Sequence, residues 1–182
     1  VEQALAKRRA RRKGAVCGNL DIQGVEVGRV PGRLPACGIK AAVRVRAVSG
    51  VVLSQESLMN CKTAEALNTW VDKGVSRAFS KRDPVVKLKV AAHYACRTRN
   101  NQPGARISEH GKGNAIDISA FILQSGKTLT VLNDYSRRGP LGKAARAACG
   151  PFGTVLGPDA DRFHRDHFHF DTARHRGGPY CR

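Results

Sequence analysis

The stretch Ala42–Ser54, AVRVRAVSGVVLS, is the point from which the fold is read. Apolar and basic residues alternate from Val43 to Val48, Ser49-Gly50 interrupts them, and an apolar run follows. Period-two alternation belongs to a half-buried strand, whose successive side chains leave on opposite faces. A Ser-Gly pair between two such runs predicts a tight turn, hence a hairpin. Downstream the period changes. Ala64, Leu67, Val71, Val75 and Ala78 recur at helical spacing, with Trp70 beside them as a core residue and Thr63 as the candidate cap. Pro84 closes that helix, and VVKLKVAAHYACR from Val85 reads as a strand running into a loop. AIDISAFIL (Ala115–Leu123) and TLTVL (Thr128–Leu132) predict a second hairpin around Ser125-Gly126. Leu141–Ala148 suits a short helix, and His167–Asp171 a last short strand.

Upstream of the first hairpin, glycines and prolines crowd residues 14–40, which predicts looping chain with at most a short strand near Val25–Val27. Residues 1–16 are expected to form a flexible basic arm, helical through Ala4–Arg12, and residues 17–182 a single domain. Strands and helices mix without regular βαβ alternation. The expected class is therefore α+β: a small, mainly antiparallel sheet with flanking helices and long, disulfide-stapled loops.

Charge and cysteine content narrow the setting. The 182 residues carry 32 Lys+Arg against 14 Asp+Glu, a net +18, which attracts polyanions such as nucleic acid, acidic lipid or an anionic wall polymer. Cys17, Cys37, Cys61, Cys96, Cys149 and Cys181 are even in number, widely spaced and free of any C-x-x-C pair. That pattern suits three disulfides and an oxidising compartment, periplasmic or extracellular, better than a zinc ribbon. Cys17–Cys37 is expected as a local loop. No uncharged apolar run reaches the ~18–20 residues of a membrane helix. The chain opens on Val1 with no apolar signal centre nearby, so an export signal, if one existed, has been removed or lies outside this chain.

Histidine and aspartate concentrate in two segments, Ser108–Asp117 (SEHGKGNAID) and His164–Asp171 (HRDHFHFD). Gly111 and Gly113 argue against a helix, so a strand ending at His110, a glycine turn and a second strand carrying Asp117 would bring imidazole and carboxylate together. Small Gly113 and Ala115 would leave room for an ion. Strand parity puts His167 and His169 on one face. Two histidines and a carboxylate match a catalytic zinc shell with its fourth position open. Ser108 is expected in a supporting or turn role, Glu109 paired with a basic neighbour, and Asp171 in a salt bridge or a supporting contact. His164 is read as a loop histidine, and His93 and His175 as structural or solvated. Asp159 and Asp161 lack the ladder of a calcium loop.

Ser108-x-His110-x-x-Gly113-x-Ala115-x-Asp117 followed by His167-x-His169 resembles the signature of the LAS metallopeptidases. From about Cys17 to the end, the chain is more closely similar to the bacterial extensin-like C-terminal domain family. Ala36-Cys37-Gly38-Ile39, Tyr94-Ala95-Cys96-Arg97, Thr154-Val155-Leu156-Gly157-Pro158 and Asp166–Asp171 carry that likeness. The resemblance implies a LAS-like fold and a zinc peptidase acting on peptidoglycan stem peptides, with His110, Asp117 and His169 as metal ligands. It implies that His167 helps activate water or stabilise the tetrahedral intermediate and that Arg97, with Arg99 as the fallback, binds the scissile carbonyl oxygen. Asp166 is the second candidate base, because Asp166-x-x-His169 mimics a Glu-x-x-His arrangement of related dipeptidases. Parity favours His167, since Asp166 would point away from a regular strand.

Two other classes of function stand beside this one. A zinc-containing wall-binding module would keep the fold without turnover. A nucleic-acid-binding protein would explain the charge, but aromatics are only 5%, too few for a stacking platform, and no reader motif is present. The expected reaction is hydrolysis of D-Ala–diaminopimelate crosslinks, with release of terminal D-Ala second, and no specific nucleic acid is expected as partner.

Overall fold

A computed structural model describes residues 1–182. Helix α1 (Glu2–Lys13) precedes four strands, β1 (Ala15–Val16), β2 (Asn19–Pro31), β3 (Gly38–Val48) and β4 (Val51–Asn60). A helical stretch follows: α2 (Cys61–Thr69), a π segment over Trp70–Val75 and the short α3 (Ser76–Ala78). Then come β5 (Val85–Ala92), β6 (Ala115–Leu123), β7 (Thr128–Thr130), α4 (Val131–Asp134) and α5 (Pro140–Ala148). Strands β8 (Thr154–Leu156), β9 (Phe168–Asp171) and β10 (Tyr180–Cys181) finish the chain. The strands form one sheet in the order β1-β2-β3-β4-β5-β6-β9-β8-β10, with β7 on β6. Only β4–β5 and β8–β10 pair in parallel, so the α+β class and the mainly antiparallel sheet hold.

The quoted hairpin forms as its alternation requires. Val43, Val45 and Val48 turn inward while Arg44 and Arg46 face solvent. Beneath the sheet, Trp70 is fully buried, edge-on to Phe121 and Phe170, with its indole N–H donating to the Ala144 carbonyl at 2.8 Å. That bond joins the α2–α3 stretch to α5 through the middle of the core. Trp70→Ala is therefore expected to destabilise the chain by about 3–5 kcal/mol, measured by urea unfolding, because a large void results.

Several expectations need correction. Residues 14–40 are not looping chain: β2 runs 13 residues. Its register shifts at Gln23/Gly24, Glu26/Gly28 and Gly28/Val30, and a Cβ on Gly24 would meet the Arg44 carbonyl oxygen at 2.1 Å. These glycines mark bulges and close backbone approach, not a loop. The α2 cap is Asn60, whose side chain accepts from the Thr63 backbone N–H. The second hairpin closes at Thr130, where α4 begins. The disulfides are Cys17–Cys61, Cys37–Cys96 and Cys149–Cys181, not Cys17–Cys37, because β2 and β3 carry Cys17 and Cys37 to separate places. Each bridge fastens segments far apart in sequence, and no free cysteine remains. Helix α1 buries none of its side chains; Arg11 pairs with Asp21 and its carbonyl accepts from Gln23. No helix is long and apolar enough to cross a membrane.

Candidate metal centre

Sheet register builds half of the site. In the antiparallel pair β6–β9, Asp117 stands directly opposite His169, so both side chains leave the same face at closest approach. Two residues on, Asp171 shares that face, and Thr154 of β8 is its register partner.

The other half is a turn. Ser108 caps a 3-10 helix over Glu109–Lys112, and its hydroxyl accepts from the His110 backbone N–H. The expected strand ending at His110 is replaced by this turn, which Gly113 closes in a left-handed conformation. Gly113 leaves no room for an ion: Ile39 packs over it. Backbone bonds from Asn60 N–H to the Gly113 carbonyl and from Ala95 N–H to the His110 carbonyl tie the turn to α2 and to the chain after β5. Glu109 pairs with Lys112 and accepts from Asn114, as its place beside a cation suggests.

The three candidate ligand atoms meet. His110 Nε2 lies 3.1 Å from Asp117 Oδ1 and 3.2 Å from His169 Nδ1, and the third side, His169 Nδ1 to Asp117 Oδ1, is 3.0 Å. A tetrahedral ion with ligands at 2.0–2.1 Å would space them about 3.3–3.4 Å apart, so the triangle needs little adjustment. The tautomers agree. His110 Nδ1–H donates to the His93 carbonyl at 2.8 Å, which turns its bare Nε2 toward the cluster. His169 Nε2–H donates to Asp171 Oδ2 at 2.7 Å, which turns Nδ1 the same way. Such outer partners fix ring orientation in metal sites.

Electrostatics point in the same direction. Burial works to raise the Asp117 carboxyl pKa, but hydrogen bonds and charge from His110 and His169 outweigh it and hold the group far below the usual range. Burial likewise pushes His169 down, yet Asp117 and Asp171 together lift it to about 9. A buried anion between two imidazoles is a place for positive charge, whether a proton or a metal cation.

Around the triangle opens a cleft of about 620 Å³. His167 reaches it just ahead of β9, with Nε2 3.6 Å from Asp117 Oδ2. Asp166, ahead of the start of β9 at Phe168, is exposed and lies outside the cleft lining. Its Oδ1 accepts from His167 Nδ1–H at 2.8 Å, leaving Nε2 free toward the cleft. Arg97 lines the same cleft without an ion-pair partner, and its carbonyl accepts from Ser108 N–H, so it is a direct neighbour of the His110 turn. Arg99 lies beside it on the wall. His164 is held by Asp161 at 2.7 Å and stays out of the triangle. Asp159 is taken up by Tyr135 and Arg137. The His93 carbonyl carried no signal in the sequence, since any residue offers one; its position after β5 selects it. Thr154 went unnoticed for a similar reason, its place opposite Asp171 depending on the β8–β9 register.

The fold and cluster define a disulfide-stapled α+β protein with two histidines and one aspartate converging on a cleft. The chain belongs to the family described as extensin-like protein C-terminus, which it matches over residues 16–182. Neither a curated protein nor a solved structure matches it.

Asp171→Asn should weaken divalent-metal binding about 10–100-fold, by loosening the ring it orients. Titration calorimetry with zinc would measure the change.

Proposed function

We propose that this protein is a zinc-dependent peptidoglycan hydrolase of the oxidising periplasm or cell exterior. The reaction is cleavage of stem-peptide crosslinks, as a D,D-endopeptidase, with D,D-carboxypeptidase action second. The observation that carries it is the triangle of His110 Nε2, Asp117 Oδ1 and His169 Nδ1, all three atoms 3.0–3.2 Å apart at the floor of an open cleft. The motif likeness to LAS metallopeptidases supports the same reading, as do the three disulfides and the net +18 against a carboxylate-rich wall.

The donor set suits zinc: imidazole and carboxylate are its common ligands, and all six thiols are committed elsewhere. When bound, the ion would polarise the scissile carbonyl and bring the pKa of a coordinated water to about 7. The chain's own groups do the rest. His110, Asp117 and His169 hold the charge, and His93 and Asp171 fix the rings. His167 takes a proton at Nε2 and passes it to the leaving amine, with Asp166 locking the tautomer that makes Nε2 the acceptor. Arg97, which lines the same cleft, is the donor to a developing oxyanion.

Incubating the zinc-loaded chain with purified sacculi and resolving the products by mass spectrometry tests this directly. New free amines at crosslinks are expected. Intact crosslinks and stem peptides at full zinc loading would instead favour a wall-binding module.

A further inference from the structure

A second basin lies beside the histidine cleft. It encloses about 350 Å³ and shares the lining residues Ala173 and His175 with the cleft, so the two adjoin at this segment. That ring is fixed by a 2.8 Å contact between its Nε2 and Thr154 Oγ1. The basin's charged lining is Lys62 and Arg174, and no carboxylate side chain faces it. Neither cation has an ion-pair partner anywhere in the molecule. Lys62 Nζ is anchored on a neutral acceptor, the Thr172 carbonyl, at 3.3 Å. Acids near the reacting centre contrast with this: Asp117, Asp171, Asp161 and Glu109 all have cationic or imidazole partners.

We infer that this basin is a carboxylate subsite: Lys62 and Arg174 receive the acidic arm of a peptide whose reacting bond lies over His110, Asp117 and His169. The inference rests on the hydrolase reading for what lies over the histidines, not for the anion site itself. Two uncompensated cations in a basin beside the cleft select charge to one side of the reacting bond. The fitting ligand is an extended peptide with a free carboxylate beyond its scissile residue. Lys62 stands at the head of α2 and Arg174 follows β9, the elements that also brace the metal ligands. Position in the subsite is thereby coupled to position over the cluster.

The test uses the full chain in the presence of a chelator, so that binding is read without turnover. The probes are a synthetic peptidoglycan stem tetrapeptide with free carboxylates and the same peptide with those groups amidated, compared by calorimetry. The free acid is expected to bind about tenfold more tightly, and Lys62→Met or Arg174→Met to lower that preference about threefold each, as for partly exposed charge pairs. Lys143→Met, on α5 and outside both cavities, should leave it unchanged. Equal affinity of wild-type chain for the two peptides, or a preference that survives both basin substitutions in folded protein, overturns the subsite. A preference that behaves as expected while sacculi remain uncut with zinc overturns the hydrolase reading and leaves the subsite standing.

Discussion

His169→Ala will bind zinc at least about 100-fold more weakly than the wild-type chain. A structural zinc site with four ligands is worth roughly 10–16 kcal/mol, or about 3 kcal/mol per ligand, and one of the three proposed protein ligands is removed here. A second effect accompanies the first in metal-free protein. Asp117 and Asp171 are both buried and both bonded to His169, so the substitution strands two carboxylates out of water. Breaking a buried charged pair from one side costs about 3–5 kcal/mol. The sign of its pH dependence follows from the shifts. Asp117 is depressed, so its contribution is present above the unfolded value of about 4 and fades as pH falls. His169 is raised to about 9, so its contribution is complete below about 6.5 and lost as pH climbs through 9. The variant should therefore differ most from wild type between about pH 4 and 7 in urea unfolding with chelator. Zinc affinity equal to that of wild type would mean that the cluster is no metal centre.

His167→Ala separates chemistry from binding. Its ring belongs to none of the three sides of the ligand triangle, and its Nε2 faces the cleft 3.6 Å from Asp117 Oδ2. Zinc affinity should stay within a few-fold of wild type while kcat on crosslinked muropeptides falls about 10²–10⁴-fold, the usual worth of a positioned base. Asp166→Asn should fall less, because it removes only the group that orients the ring. Full activity in His167→Ala together with loss in Asp166→Asn would transfer the base role to the aspartate.

What the sequence disclosed and withheld divides along physical lines. Strong periodicity was legible: the alternation from Val43 to Val48 and the helical recurrence around Trp70 both mark faces that bury apolar area. Strand β2 was not, because its glycines read as turn formers when they are bulges demanded by the Arg44 backbone. At the site, His110, Asp117 and His169 could be chosen from residue type and spacing, and the structure brings all three together. The partners that aim them could not. His93 acts through its main chain, and Thr154 through a strand register that exists only in three dimensions. Asp166 lies ahead of the start of β9, and its bond to the His167 ring comes from that loop, which strand parity does not describe. Cysteine pairing lies outside sequence logic altogether, since six sulfurs allow 15 connectivities.

One of those bridges has a reach beyond stability. Cys96 immediately precedes Arg97, and a Cβ on Gly111 would lie 3.0 Å from Cys37 Sγ. The Cys37–Cys96 bond thus clasps the arginine wall and the His110 turn from behind. A nascent chain with reduced thiols lacks that clasp, and its imidazole and guanidinium are free to drift apart. Assembly of the cleft is consequently tied to oxidation: reducing this one bridge should loosen the His110 turn against the Arg97 wall.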